Sequence, residues 1–314
     1  MSAHPVDPRA LAVEKAVVLR AELLEAQVND ELVTAKTEHE LRRAVSNALY
    51  EHFHTGLSAT SRPVRAPEPE LERRYASRLP HRYSRAHGTA AQQPACDSTV
   101  FGLEGVRVEF PPESVLAIDG DRYVLSVGCQ RPHLSPGFYT VVGSRGWTPR
   151  APILRVYVNV GTAEMAVEAW GRALKYLEAS EATYQAKVIS RASLVSRRDG
   201  MVVYLDGAAR PLVAGLVREV SQLALCTEVP TFTRAMAAGI SYAWEPVHHS
   251  PQGRLSFGQH RARAITAALF DQAANPEKPF MEHVRERLIE YHIEPTEIHR
   301  NIDSPALEEV ITPT

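Results

Sequence analysis

Apolar residues recur along this chain with two different periods, and the change between them divides it. Near the start, Asp7-Pro8 reads as a helix opening, with a carboxylate N-cap and proline at the first helical position. Leu11, Val18 and Leu19 then predict helix to about Val28. Thr37 and Glu40 have capping-box spacing, and Leu41, Val45, Leu49 and Phe53 follow at four-residue intervals as one buried stripe. The pattern predicts an N-terminal helical segment over 1–57 that packs on another unit. Between 58 and 102 the character shifts. SATSRPVRAPEPE is rich in proline and charge, and RRYASRLPHRYSRAHG carries seven basic residues, counting its two histidines. That composition predicts a flexible basic linker, suited to touching an acidic peptide or a phosphate.

Further on the period shortens. Residues 106–110 alternate as a half-buried strand, and 115–118, the Asp119-Gly120 turn and 123–127 read as a hairpin. Strands are expected at 138–142, after a Ser135-Pro136-Gly137 turn, and at 154–160, 185–189 and 201–205. Helices are expected at 163–179, from Pro211, at 261–274 and at 277–291. Strands interleaved with helices without strict alternation predict an α+β domain over 103–300, a mixed and largely antiparallel sheet with flanking helices. Residues 301–314 form a tail.

Composition narrows the class without naming a reaction. The chain has 314 residues, 44% hydrophobic and 23% charged, and a formal charge of -2, which removes any argument for broad nucleic-acid affinity. No apolar run has membrane-spanning length, and the first residues show no basic start followed by an apolar stretch. Cys96, Cys129 and Cys226 are scattered and odd in number, so a cytoplasmic protein with structural thiols is expected. Neither a phosphate-binding P-loop, a kinase motif set nor a G-x-S-x-G nucleophile elbow is present. The adjacent His248 and His249 do not project together from a strand or helix, so no metal site is expected.

Three places hold candidate chemistry. In LRVYVNV the period of two puts Arg155, Tyr157 and Asn159 on one face, opposite Leu154, Val156, Val158 and Val160. Without context that face reads as solvent-exposed, yet all three groups suit an oxygen-rich ligand. Lys187 sits on the strand 185–189, and Arg197-Arg198 follow just before the next strand. Neighbouring strands would bring these cations together, which lowers a lysine's pKa and offers guanidinium forks to a phosphate. The third place is Ser256-Phe257-Gly258-Gln259-His260-Arg261 at a helix start, where Gly258 permits close backbone approach and His260 can donate a proton. Arg234 is a further cationic candidate.

LSPGFYTVVG, LRVYVNV, AKVIS…RRDGMVVYLD, TFTRAMAAGIS and SFGQHRARAITAAL occur in this order. Together, over about residues 103–269, they resemble the HopA-type family named after type III secreted effectors. Homologues of that family are encoded in actinobacterial pathways for class V lanthipeptides and thioviridamide-like peptides. It is similar in turn to phosphothreonine lyases and to the lyase domains of lanthipeptide synthetases. The resemblance implies a phosphothreonine-lyase-like fold and β-elimination of phosphate from phosphoserine or phosphothreonine, with no metal or organic cofactor. It implies Lys187 as the base and a phosphate cage of Arg155, Arg197, Arg198, Arg234 and Arg261, with Asn159 beside it. Where the related lyases carry lysine-x-histidine, this chain has Arg155-Val156-Tyr157, so the proton donor is Tyr157 or His260. The implied partners are a phosphorylated precursor peptide and a separate kinase, with no nucleic acid and no membrane. An inactive lyase-like scaffold that presents a peptide to a partner enzyme is the alternative. The first residues read as a folded helix, not as the polar, serine-rich leader of a secreted effector.

Overall fold

The computed structural model describes residues 5–57, 66–91, 99–103, 106–132, 134–148, 152–246 and 255–305. At the N-terminus, α1 (Pro8–Leu11) is a single turn capped by Asp7, whose carboxylate accepts from the Arg9 N–H at 2.9 Å. Helix does not continue to 28. Instead β1 (Val17–Arg20), β2 (Glu25–Val28) and β3 (Glu31–Thr34) form a three-stranded antiparallel sheet. Alternation explains the difference: in β2, Ala26 and Val28 are buried while Gln27 is exposed, and Asn29 turns the hairpin at φ 51. Burial of Val17, Ala26, Val28 and Val33 outweighs the helix propensity of a Glu-, Leu- and Ala-rich stretch.

The second helix follows expectation. α2 (Glu38–Leu49) is capped by the Thr37 hydroxyl, which accepts from the Glu40 N–H at 3.2 Å, and buries Leu41, Val45 and Leu49. The Glu40 carboxylate takes the Lys36 N–H instead of closing a capping box. α2 runs on as a π-helical turn, Tyr50–Thr55, that ends at Gly56 in the left-handed region.

Where a linker was expected, over 58–102, residues 69–76, 83–90 and 99–102 belong to secondary-structure elements; 58–65 and 92–98 lie outside the described residues. α3 (Pro69–Ala76) starts with proline and buries Leu71 and Tyr75 four residues apart. β4 (Tyr83–Ala90) carries the basic run, with Arg85 and His87 partnered across β8 (Arg122–Gly128). Its inward positions, Ser84, Ala86 and Gly88, are small, which hides the strand period from a hydrophobicity pattern. With β5 (Thr99–Leu103), β6 (Val106–Phe110) and β7 (Val115–Asp119) these strands form an antiparallel sheet of order β6-β5-β4-β8-β7. The β7–β8 hairpin turns at Gly120, φ 60.

The rest of the chain builds the central layer. β9 (Phe138–Val142), β10 (Ile153–Val158), α4 (Ala163–Ala179), β11 (Tyr184–Ile189), β12 (Met201–Asp206) and α5 (Val213–Val220) lie close to the predicted positions. β13 (Arg234–Ala237) and β14 (Ile240–Trp244), joined through Gly239 at φ 68, were not foreseen. The chain then forms α6 (Phe257–Ala274) and α7 (Phe280–Glu290). The six strands make one antiparallel sheet, β13-β14-β10-β12-β11-β9. The α+β class is therefore as expected.

One face of this sheet packs Leu154, Val156, Val158, Val203 and Leu205 against Trp170, Leu174 and Leu177 of α4 and Leu216 of α5. The other face carries Arg155, Tyr157 and Lys187. It is covered by a second core in which Leu41, Val45 and Leu49 of α2 meet Ile265 and Leu269 of α6 and Val284 of α7. The polar wall is thus buried beneath helices from both ends of the chain. No helix among the described residues is long and apolar enough to cross a membrane.

The two ends are tied at Asp7, which is 2% exposed and accepts the Ile298 N–H at 2.9 Å while pairing with Arg9 at 2.5 Å. Asp7→Ala strands a buried N–H and an arginine. It should cost about 2 kcal/mol in urea denaturation, whereas Arg20→Ala, at an exposed position of β1, should cost less than about 0.5 kcal/mol.

Candidate active site

The register of the central sheet sets up the site. Thr140, Lys187, Val202, Tyr157 and Ser241 form one row across β9, β11, β12, β10 and β14. Arg155 and Tyr204 are partners one step along on the same face. Over this surface, the π turn after α2 lowers His54, and the β11–β12 connection brings in Arg197 and Asp199.

These side chains close into a ring. Lys187 Nζ lies 4.3 Å from the Phe138 ring centroid and 3.4 Å from Ser135 Oγ. The Arg197 guanidinium is 5.6 Å from the same ring and forks onto Asp199 at 2.8 and 2.9 Å, with Tyr50 Oη at 3.0 Å. Asp199 Oδ2 is 3.7 Å from His54 Nε2, and the His54 ring meets Tyr157 edge-on at 5.4 Å. Tyr157 Oη is 3.5 Å from Arg155 Nη1, and Arg155 lies 5.0 Å over Tyr204 and pairs with Glu245. The Tyr204 ring, 5.8 Å from Lys187 Nζ, completes the circuit. Arg155, Tyr157, His54, Arg197 and Asp199 are all buried, whereas Lys187, Phe138 and Tyr204 are partly exposed. Access is therefore from the lysine side, where Ser135, Phe138 and Thr140 also line a cleft of about 240 Å³.

Burial and pairing set the charges. Burial alone would raise the Asp199 carboxyl; the Arg197 fork more than offsets it, and His54 and Lys187 add to the effect, bringing it to about 2. Burial pushes His54 down to about 4, helped by Arg197, Arg155 and Lys187 and opposed by Asp199. It is a neutral imidazole at pH 7, and its Nδ1 is buried with no hydrogen-bond partner among the described residues. The Tyr157 phenol is raised, chiefly by burial. Of the three basic side chains here, Arg155 pairs with Glu245 and Arg197 with Asp199, while Lys187 has no carboxylate within ion-pair distance among the described residues.

The expected cage does not converge as a whole. Arg155, Tyr157, Lys187 and Arg197 come together. Arg198 instead bonds the π turn, its N–H to Thr55 O at 2.9 Å and its Nη1 to His52 O at 3.4 Å. Asn159 Nδ2 donates to Glu228 O at 3.0 Å, anchoring the 226–228 loop. Arg234 is exposed on β13 and pairs with Glu297 at 2.9 Å. That strand is four spacings from β11, about 19 Å. Arg261 is fully buried and donates to Ile298 O, Arg300 O and Asn301 Oδ1, each at 2.9 Å. Burial pushes it down to about 9. It fastens the C-terminal segment beneath the sheet. His260 Nδ1 is 2.8 Å from Arg261 Nη1, and its ring lies against Tyr291. The Ser256–Gln259 capping box is present, and Gly258 does permit a close approach, but of the His54 ring: an added Cβ would lie 2.4 Å from it.

His54, Tyr50, Phe138, Tyr204, Asp199 and Glu245 were not singled out from the sequence. Tyr204 shares the face of Lys187 because it lies two residues after Val202, the partner of Lys187 across β11 and β12, a register that the sequence does not show. His54 had no signal, since the helix turns into a π turn only under tertiary packing. Cys96, His248 and His249 lie outside the described residues.

A model of the HopA1 effector protein family matches residues 129–300. The chain belongs to this family. The matched stretch starts later and ends later than the sequence resemblance, and it contains the whole ring except Tyr50 and His54. No curated protein matches. This HopA1-family chain is similar to the solved effector protein from Pseudomonas syringae pv. tomato strain DC3000, with 14% identity and a TM-score of 0.47, over 83% of this chain and 98% of that one. It is also similar to that from P. syringae pv. syringae strain 61, with 18% identity and a TM-score of 0.42. There it covers 52% of this chain and spans 62% of the effector's length.

The His54 shift carries a sign. Its folded pKa lies below the unfolded value of 6.5, so acid favours unfolding from about pH 6.5 down to about 4. Over that window His54 should account for a loss on the order of 3 kcal/mol. Urea denaturation at pH 7 and 4.5 should show a smaller difference for His54→Gln than for the native chain. An equal difference in both would show that His54 is not buried neutral.

Proposed function

We propose that this protein is a phosphoserine/phosphothreonine lyase that eliminates phosphate from a peptide phosphorylated by a separate kinase. The observation carrying this reading is Lys187: a half-exposed amine at the open side of a ring whose other cations, Arg155 and Arg197, are fixed by carboxylates. The lysine takes the α-proton, the Cα–H electrons form the Cα=Cβ bond, and the Cβ–O bond breaks. Phosphate leaves with that bonding pair, and dehydroalanine or dehydrobutyrine remains. The phosphate would lie over Tyr204, between Arg155 and Arg197. The bonds these arginines make leave Arg197 Nη1 and Arg155 Nη2 uncommitted among the described residues. Fixed cations near the charge developing on the carbonyl side and on phosphate lower the barrier.

For the proton donor, Tyr157 is favoured over His260. Its hydroxyl lies beside Arg155, whereas His260 is tied to Arg261. Charge pairing supports one other reading. Because Glu245 and Asp199 already neutralise both arginines, a lyase-like scaffold that binds peptide without chemistry fits the same ring.

Incubation with a phosphothreonine peptide and mass spectrometry separate the two. The lyase reading expects loss of phosphoric acid, reduced at least about 100-fold by Lys187→Ala. Tight peptide binding without that loss would establish the scaffold. Undiminished elimination by Lys187→Ala would remove the lysine from the mechanism.

A further inference from the structure

A second cluster of arginines lies away from the ring, in a groove of about 450 Å³ between α2 and α6. On α2, His39, Arg42, Arg43 and Ser46 recur at helical spacing along one face; Arg263 and Thr266 face them from α6, and Tyr291 closes the end. Every charged side chain lining it is basic, in a chain whose formal charge is -2. Arg42 is held 4.1 Å over the Phe270 ring and bonds Glu38 at 2.8 Å, so its position is set. Arg43 is exposed and has no ion pair among the described residues. From His39 to Ser46 the groove is about 10 Å long, two helical turns, with Ala267 and Tyr291 supplying apolar surface.

We propose that this groove docks an acidic peptide segment. Arg42 and Arg43 on α2 and Arg263 across the groove on α6 match carboxylates of a short helix or extended strand, and the phenol and alanine match an apolar residue between them. A phosphodiester backbone fits less well, because the groove is only about two helical turns long. α2 continues from Ser46 into the turn bearing His54, about 12 Å further on. The groove therefore serves as an exosite for an acidic stretch of the substrate several residues from the phosphorylated one. That assignment rests on the lyase reading; the binding itself does not.

The probe is a fluorescein-labelled hexaglutamate peptide followed by fluorescence anisotropy, with a hexaserine control. Binding should weaken with salt, and Arg43→Glu/Arg263→Glu should weaken it at least tenfold. The exposed Arg43→Gln, which leaves the fold untouched, should weaken it measurably, and Arg107→Glu on β6 should not. Unchanged affinity in both groove variants overturns the proposal, as does a single-stranded oligonucleotide that binds the groove more tightly than hexaglutamate. In elimination assays the double variant should raise KM for a phosphopeptide with an acidic stretch and leave kcat unchanged. A phosphopeptide lacking the stretch should be processed equally by both proteins. If neither peptide is eliminated while hexaglutamate binding still depends on Arg43, the lyase reading fails and the groove stands.

Discussion

Burying the polar face of the six-stranded sheet requires that each arginine on it meet a carboxylate. Arg155 and Arg197 are both 6% exposed, and an unpaired guanidinium at either place would cost several kcal/mol. Glu245, just past β14, and Asp199, two residues beyond Arg197, supply the counter-charges. The Arg197–Asp199 fork also receives Tyr50 and faces His54, so the same pair orients the turn after α2. Once both arginines are satisfied, helices can close over a face that would otherwise need water.

This closure leaves Lys187 as the exception. It has no carboxylate within ion-pair distance among the described residues and rests on two aromatic rings and a serine hydroxyl. Aromatic faces stabilise an ammonium more weakly than a carboxylate does. Within the ring, the pairing of Arg155 and Arg197 is thus what sets the lysine apart.

The cover over the site is assembled from both chain ends. α2 and its π turn come from outside the stretch matched by the HopA1 family model, while α6 and the segment fastened by Arg261 come from within it. Gly258 allows α6 to approach the His54 ring, and Arg198 pins the π-turn carbonyls from the β11–β12 connection. Asp7, at the start of α1, accepts the Ile298 N–H. The histidine's placement therefore depends on contacts distant in sequence.

The sequence by itself determined β9, β10, β11 and β12 of the central sheet and α4, because their side chains are large and apolar with a clean period, whereas β13 and β14 were not legible. It also determined that Arg155 and Tyr157 share a face, since alternation is a local property of a strand, whereas Lys187 joins them only through the register of β11 and β10 with β12. Basic β4 was illegible because its inward residues are small, and β1–β3 because their composition favours helix. Site membership was decided only by the tertiary structure. Arg155, Arg197, Arg234 and Arg261 are the same residue in a sequence, yet two border the lysine, one is an exposed rim cation and one is a buried fastener. What separates them is which carboxylate or carbonyl each meets, and that is set by strand order and helix packing across the whole chain.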